Sequence, residues 1–185
     1  MKFEADIIEF LQTNASVGFI RLFQIITLFG SILGAIIVFV ILFFKKRSLS
    51  YAFLITFIVA SVINKILKAI IMRDRPFVTY ETIINYGDAS GYSMPSGHSL
   101  SAGVFATFIF YLILTSSKHL STKILGGISC TLFAVLVAFS RMVLGVHYLT
   151  DTIVGIILGI LFAIIGIIIY NNIVKKKKGR KGYLG

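Results

Sequence analysis

From Thr152 to Val174 the chain carries no charged side chain, and that run is longer than the roughly 18 residues that separate a membrane span from a buried core helix. Four more apolar runs precede it, at about Leu22 to Phe44, Tyr51 to Met72, Ser99 to Ser117 and Ile124 to Val143. Each is close to the roughly 20 residues that cross a hydrocarbon layer about 30 Å thick. With 57% hydrophobic residues and a mean hydropathy of +0.96, the composition agrees with an all-α polytopic membrane bundle of about five spans.

The 185 residues leave little room for a second membrane domain, and neither a Pro/Ser-rich linker nor a polar soluble domain interrupts them. A single membrane-embedded domain over 1–185 is expected, with an interfacial helical region over 1–28, a core over 51–174 and a basic tail over 175–185. The single cysteine, Cys130, lies inside the fourth apolar run and supplies neither an internal disulfide nor a metal cluster. Met1 to Gln12 is mixed and acidic rather than basic and then apolar, so no cleaved signal peptide is expected.

A net charge of +11 would suit nucleic acid, but its placement points elsewhere. Six of the 18 basic residues stand between Lys175 and Lys181, directly after an apolar run, where a basic cluster reads as an anchor on anionic lipid. No aromatic-interleaved basic face accompanies the charge, so nucleic acid is not an expected partner. Lys45, Lys46 and Arg47 follow the first run, and Lys118 and Lys123 join the third to the fourth. With alternating crossings these residues and the tail share one face, which the positive-inside rule makes cytoplasmic. The seven acidic residues (Glu4, Asp6, Glu9, Asp74, Glu81, Asp88 and Asp151) then fall at the outer face. Lys68, Arg75 and Arg141 fall there too, against the charge bias, which needs another explanation such as a bound anion.

Phe3, Ile7, Ile8 and Leu11 recur at helical spacing opposite Lys2, Glu4, Asp6 and Glu9, the pattern of an amphipathic helix lying in the interface. Thr13 to Ser16 breaks it, and Ser16 is suited to cap the next helix. Gly30 with Gly34 and Gly155 with Gly159 are small-xxx-small pairs that permit close helix packing. They serve association equally well, so oligomeric state stays open. Arg73 to Tyr92 is the one long polar connection, a length that suits a lid or access loop.

Three polar clusters stand at the ends of these greasy runs, and cations at membrane depth mark function by default. In the first, Lys68 and Arg75 are seven positions apart. On one helix that spacing returns to nearly the same face about 10 Å further along, with Pro76 ending the helix. Such a pair can clamp one phosphate, the Arg by its planar fork and the Lys as a point charge. The alternative is snorkelling, which is also the reading for Lys65 and Arg73, since these lack a motif partner.

The second cluster, Pro95-Ser96-Gly97-His98, immediately precedes the third span. Gly97 lets backbone approach a ligand, the Ser96 hydroxyl can donate, and the amides at a helix start attract an anion. His98 either gives a proton or is structural. In the third, His147 and Asp151 are spaced i, i+4, so a helical Asp could hold one imidazole nitrogen as N–H and leave the other as base or nucleophile. Two ligands at that spacing could equally begin a metal site. His119, the remaining histidine, falls on the opposite face and the local company is basic, so neither metal nor cofactor is expected. Arg141, ahead of His147, adds a further anion ligand.

Together these residues resemble the type 2 phosphatidic acid phosphatase superfamily. Its signatures Lys-x6-Arg-Pro, Pro-Ser-Gly-His and Ser-Arg-x5-His-x3-Asp stand here complete and in order, as Lys68 to Pro76, Pro95 to His98 and Ser140 to Asp151. At roughly 5% usage per residue type, Pro-Ser-Gly-His alone arises by chance at about one in 10⁵ positions. The resemblance covers the second to fifth spans closely and the segment before them only in general shape.

The resemblance implies an all-helical bundle in the cell membrane with its pocket at the outer leaflet, which agrees with the cytoplasmic C-terminus expected from the charge. It also implies a metal-independent phosphatase acting on a lipid phosphate. In that mechanism His147, oriented by Asp151, attacks phosphorus, while Lys68, Arg75, Ser96, Gly97 and Arg141 hold the non-bridging oxygens. His98 protonates the leaving oxygen, and water then hydrolyses the phosphohistidine. The two histidines need opposite protonation states, so activity is expected to fall at both pH extremes. Undecaprenyl diphosphate is the substrate expected first, with phosphatidylglycerol phosphate and phosphatidic acid as alternatives. A lipid-phosphate binder or transporter using the same pocket without turnover is the reading from another class.

Overall fold

The computed structural model describes residues 2–87 and 89–182, with side chains described as far as Lys176. Met1, Asp88 and residues 183–185 therefore lie outside the described residues, as do the side chains of residues 177–182 of the basic tail. The order is α1 (Lys2–Thr13), α2 (Val17–Leu28), α3 (Ile32–Ile71), the short α4 (Pro76–Thr79), α5 (Gly97–Ser116), α6 (Leu120–Val143) and α7 (Leu149–Gly182). No strand occurs among the described residues.

Four helices are long and apolar enough to cross a membrane, and the chain is a multi-pass membrane protein. The longest of them, α3, doubles back. Lys46 leaves helical geometry at φ −158° and ψ 78°. Across the bend Phe39 faces Tyr51 with ring centroids 6.4 Å apart, and Ile32, Ala35 and Ile36 line one cavity with Leu54 and Phe57. The first two expected spans are thus the two arms of α3, turned at the Lys45-Lys46-Arg47 triplet. The start of the first apolar run, up to Leu28, belongs instead to α2, which Ser16 caps by accepting from the Phe19 amide.

Lys68 and Arg75 do not share a helix, contrary to the expectation from their spacing. Met72 adopts a left-handed φ of 49° and ends α3, whereas Arg75 is the N-cap of α4 and Pro76 its first residue. Proline's fixed φ and missing N–H suit a helix start, where no intrahelical donor is required. Pro76 opens a helix rather than closing one.

The tail end of α3, the start of α5, the end of α6 and the start of α7 gather at one end of the bundle. In the core Phe53 packs on Phe105 and Phe108 at centroid distances of 5.7 and 5.4 Å. Ile153, Ile157, Leu161, Ile164 and Ile168 remain exposed along α7, as a lipid-facing ridge requires. At the motif end, α1 buries Ala5 and Ile8 against Ile83, Met142 and Tyr148 and turns Phe3 and Phe10 outward.

Helices α5 and α7 pack closely where Gly155 and Gly159 face α5. A Cβ at Gly155 would lie 2.6 Å from the Ser96 carbonyl oxygen, and one at Gly159 would overlap the Leu100 carbonyl. The close contact sets α7 directly against the turn that carries Ser96. Gly159→Val is therefore expected to destabilise the fold by about 1–3 kcal/mol through overpacking, read as a lower melting temperature in detergent. Gly18→Ala, whose Cβ would meet only Ser16 Oγ at 3.9 Å, is expected to leave that temperature unchanged.

Candidate active site

The turn after α6 delivers the first candidate side chain. Gly145 sits at φ +72°, where a Cβ would be strained and would overlap the Ile84 carbonyl oxygen. Beyond it the Val146 and His147 amides both donate to the Arg141 carbonyl, at 3.1 and 3.3 Å. This loop folds His147 back beside Arg141 before α7 begins at Leu149. His147 thus precedes the helix that carries Asp151, and the two meet across a cap rather than along one helical face. Asp151, on the first turn of α7, accepts from the Tyr148 amide at 3.0 Å, the backward reach of a capping box.

His147 is 2% exposed and Asp151 is fully buried. Nδ1 of His147 lies 3.5 Å from Asp151 Oδ2 and 3.3 Å from Ser93 Oγ, and Ser93 Oγ itself donates to Asp151 Oδ2. On the other side of the ring, Nε2 is 3.4 Å from Arg75 Nη1. A guanidinium carries no lone pair, so this contact requires Nε2 to be the bare nitrogen. The proton is then on Nδ1, facing Ser93 and Asp151, and this tautomer is assigned from the hydrogen-bonding partners. Burial pushes the His147 imidazole down to about 3, reinforced by the charges of Arg141, Arg75 and Lys68 and opposed by the Asp151 hydrogen bond. At neutral pH the ring is uncharged and presents a lone pair at Nε2.

Arg75 meets that lone pair directly, and the charges of Arg141 and Lys68 also act on the ring. Arg75 and Arg141 are 6% and 3% exposed, and Lys68 is half-buried. Among the described residues none of the three has a carboxylate within ion-pair distance. Lys68 Nζ donates to the Tyr92 and Ser93 carbonyls at 2.6 and 2.7 Å. Arg75 donates to the carbonyls of Gly91, Ser90 and Val146 at 2.8, 2.9 and 2.8 Å. The pair thus holds the far end of the long polar connection over the site. Arg141 donates to Thr27 Oγ1 at 2.6 Å, and its buried Nε has no partner.

Ser96 is the N-cap of α5, and its hydroxyl oxygen accepts from the Ser99 amide and hydroxyl. The amides of Gly97 and His98 lie in the first turn, where no intrahelical acceptor reaches them. A Cβ at Gly97 would meet only Asn64 Nδ2, at 3.4 Å, so packing tolerates a side chain there and the space it would fill stays open. His98 has no hydrogen-bond partner among the described residues, and Arg141, Arg75 and Lys68 are the charges that act on it. The structure thus joins Arg75, His147 and Asp151, with Lys68 linked through Ser93, Arg141 through its carbonyl to the His147 amide, and Ser96 through its amide to the Asp151 carbonyl, while Gly97 and His98 follow Ser96 on the first turn of α5. Their arrangement, cations without an ion-pair partner near a bare imidazole nitrogen, can hold a tetrahedral oxyanion beside a nucleophile. No group of three His, Cys, Asp or Glu side chains among the described residues could hold a metal ion.

Four participants escape a reading of the sequence. Arg73, expected to snorkel, is instead paired to Asp151 and Glu4 at 2.6 and 2.7 Å; the buried carboxylates that α7 and α1 set beside it overrule the snorkelling reading. Lys65, by contrast, is exposed. Ser93 bridges His147 and Asp151, Thr27 steadies Arg141, and Glu4 on α1 reaches the network from the far end of the sequence. Only Arg73 and Ser93 carry a signal, as polar residues two and three positions from Arg75 and Ser96.

A model of the PAP2 superfamily matches residues 49–175. Phosphatidylglycerophosphatase B of Bacillus subtilis is 35% identical over 120 residues, which are 64% of this chain and 57% of that protein. An undecaprenyl-diphosphatase of Sulfolobus acidocaldarius is 35% identical over 120 residues, 64% of this chain and 54% of that protein. The match thus spans little more than half the length of either relative. Among solved structures, the crystal structure of a transmembrane PAP2-type phosphatidylglycerolphosphate phosphatase from Bacillus subtilis superposes with a TM-score of 0.77 at 25% identity, covering 95% of this chain and 86% of that one.

Proposed function

Since the chain belongs to the PAP2 superfamily, we propose that it is a membrane phosphatase that hydrolyses a lipid phosphate or diphosphate through a phosphohistidine, without a metal. The observation that carries this reading is the set of cations around His147, Arg75 and Arg141 buried and Lys68 half-buried, none with an ion-pair partner among the described residues. Buried charges without partners are costly, and a phosphate group supplies the missing counter-charge.

His147 Nε2 attacks phosphorus, forming the N–P bond as the bond to the leaving oxygen breaks. Asp151 and Ser93 keep the proton on Nδ1 throughout. Lys68, Arg75, Arg141, the Ser96 hydroxyl and the Gly97 amide hold the non-bridging oxygens and stabilise the charge that develops on them. His98 gives its proton to the leaving oxygen, then takes one from water as that water attacks the phosphohistidine. The N–P bond breaks, inorganic phosphate leaves, and both histidines return to their starting states.

Undecaprenyl diphosphate is the proposed substrate, supported by the name of one relative; the name of another keeps phosphatidylglycerol phosphate as the second reading, and phosphatidic acid is the third. The site is proposed to face the outer side, since Lys46, Arg47, Lys118, Lys175 and Lys176 lie at the opposite ends of the helices. Purified protein in detergent and EDTA is expected to release phosphate from at least one lipid of this panel, with inhibition by vanadate. Hydrolysis abolished by EDTA and restored by a divalent cation would contradict the metal-free mechanism. Binding of the lipids without phosphate release would favour a non-catalytic binder.

A further inference from the structure

Arg73 lies between two carboxylates. Its Nη1 donates to Asp151 Oδ1 and Thr150 Oγ1, both at 2.6 Å, and its Nη2 donates to Glu4 Oε2 at 2.7 Å. The guanidinium stacks on the Tyr148 ring with Cζ 4.1 Å from the centroid. Glu4 also reaches α7 directly, because its Oε1 accepts from the Thr150 amide and the Thr150 hydroxyl, both at 2.8 Å. A carboxylate on α1 thus satisfies a first-turn amide of α7, the role that a local N-cap side chain usually fills.

The consequence falls on Asp151. Its Oδ2 serves Ser93, the Tyr148 amide and His147, so among the described residues only Arg73 holds Oδ1. With both oxygens engaged on opposite sides, the carboxylate plane cannot turn, and the acceptor presented to His147 Nδ1 is fixed. Arg73 alone would compete with His147 for the charge of Asp151. Glu4 offsets that competition, so Glu4, Arg73 and Asp151 together act on the imidazole as one fixed negative charge. Helix α1 is anchored firmly enough to hold Glu4 in place. Ala5 and Ile8 are buried, and Gln12 exchanges hydrogen bonds with the Ile84 amide and carbonyl at 2.9 and 2.8 Å.

We propose that Glu4 and Arg73 are a positioning pair for the catalytic carboxylate, so that the N-terminal helix is a working part of the site through Asp151 and His147. This rests on the phosphohistidine reading. The test compares wild type with Glu4→Gln, Arg73→Gln, Arg73→Lys and the Glu4→Gln/Arg73→Gln double variant, by kinetics on the lipid that wild type hydrolyses best. The His147 tautomer is followed in parallel by ¹⁵N NMR of the full chain in detergent. Glu4→Gln keeps an acceptor for the Thr150 amide and is the variant least prone to unfold.

Arg73→Gln is expected to lower kcat by about 10²-fold, the scale of an ångström-level misplacement, with KM nearly unchanged. Glu4→Gln is expected to lower it less, Arg73→Lys to recover part of the loss, and the double variant to be no worse than Arg73→Gln, as for two members of one network. In the spectra, the single Nδ1–H form of wild type is expected to become a mixture in both Gln variants. Unchanged kcat, a loss confined to KM, losses that multiply in the double variant, or an unchanged tautomer would each overturn the proposal. If wild type hydrolyses none of the lipids, the phosphatase reading fails, while the tautomer measurement still decides whether the pair positions His147.

Discussion

His147→Ala is expected to lower turnover by at least about 10⁴-fold while leaving the protein folded, the scale of losing a nucleophile that acts with its partners as a unit. The large effect follows from the geometry. Nε2 is the bare nitrogen against Arg75, and the charges of Arg141 and Lys68 also act on the ring, so the proposed attack has no other imidazole so placed among the described residues. Stability should survive because removing the ring orphans no charge. Ser93, the Tyr148 amide and Arg73 all keep Asp151 as their acceptor. Turnover measured beside the melting temperature in detergent checks both parts, and residual hydrolysis within about tenfold of wild type would remove His147 from the proposed role.

Asp151→Asn is expected to be nearly as damaging, at about 10⁴-fold in kcat, because it removes the acceptor that selects the imidazole tautomer. Both carboxylate oxygens accept, Oδ1 from Arg73 and Oδ2 from Ser93 and the Tyr148 amide. An amide presents one oxygen and one NH₂, so either orientation sets a donor against a donor. The Nδ1 proton then loses its charged acceptor and only the Arg75 contact still favours a bare Nε2, so the nucleophilic tautomer is no longer held from both sides. Lys68, Arg75 and Arg141 are untouched, so KM and inhibition by vanadate should change far less than kcat. A loss carried by KM would instead assign Asp151 to binding.

The motifs are legible in the sequence because each stands at a helix end and each is contiguous or nearly so. Pro95 to His98 reads as one string, and Arg141, His147 and Asp151 lie within 11 residues. Alternating crossings of the apolar runs place these ends on one face. The partners that hold the site in shape are not legible, since their spacing is set by the fold. Glu4 and Thr150 are 146 positions apart and Thr27 and Arg141 are 114 apart, and no local pattern marks such a pair. Arg73 misleads for a related reason: beside a membrane span a cation has an easy bland role, and only the buried carboxylates around it show otherwise.

Two local readings also turn on conformation. The triplet at Lys45 to Arg47 announces a turn between spans, but with neither Gly nor Pro it gives no sign that the backbone leaves the helix at Lys46 alone. Pro76 reads as a helix stop, although the same fixed φ starts one. The short α4 that results places Arg75 at its N-cap, from where its side chain reaches both the 90–91 carbonyls and His147.

The phosphohistidine is the central claim, and trapping it tests that claim most directly. Protein mixed with a ³²P-labelled lipid phosphate and quenched within the first turnover is expected to carry label that survives base and is lost in acid. The label should map to the peptide containing His147 and be missing from His147→Ala. Turnover with no label on the protein, or label that is stable to acid and maps to another residue, would contradict the account.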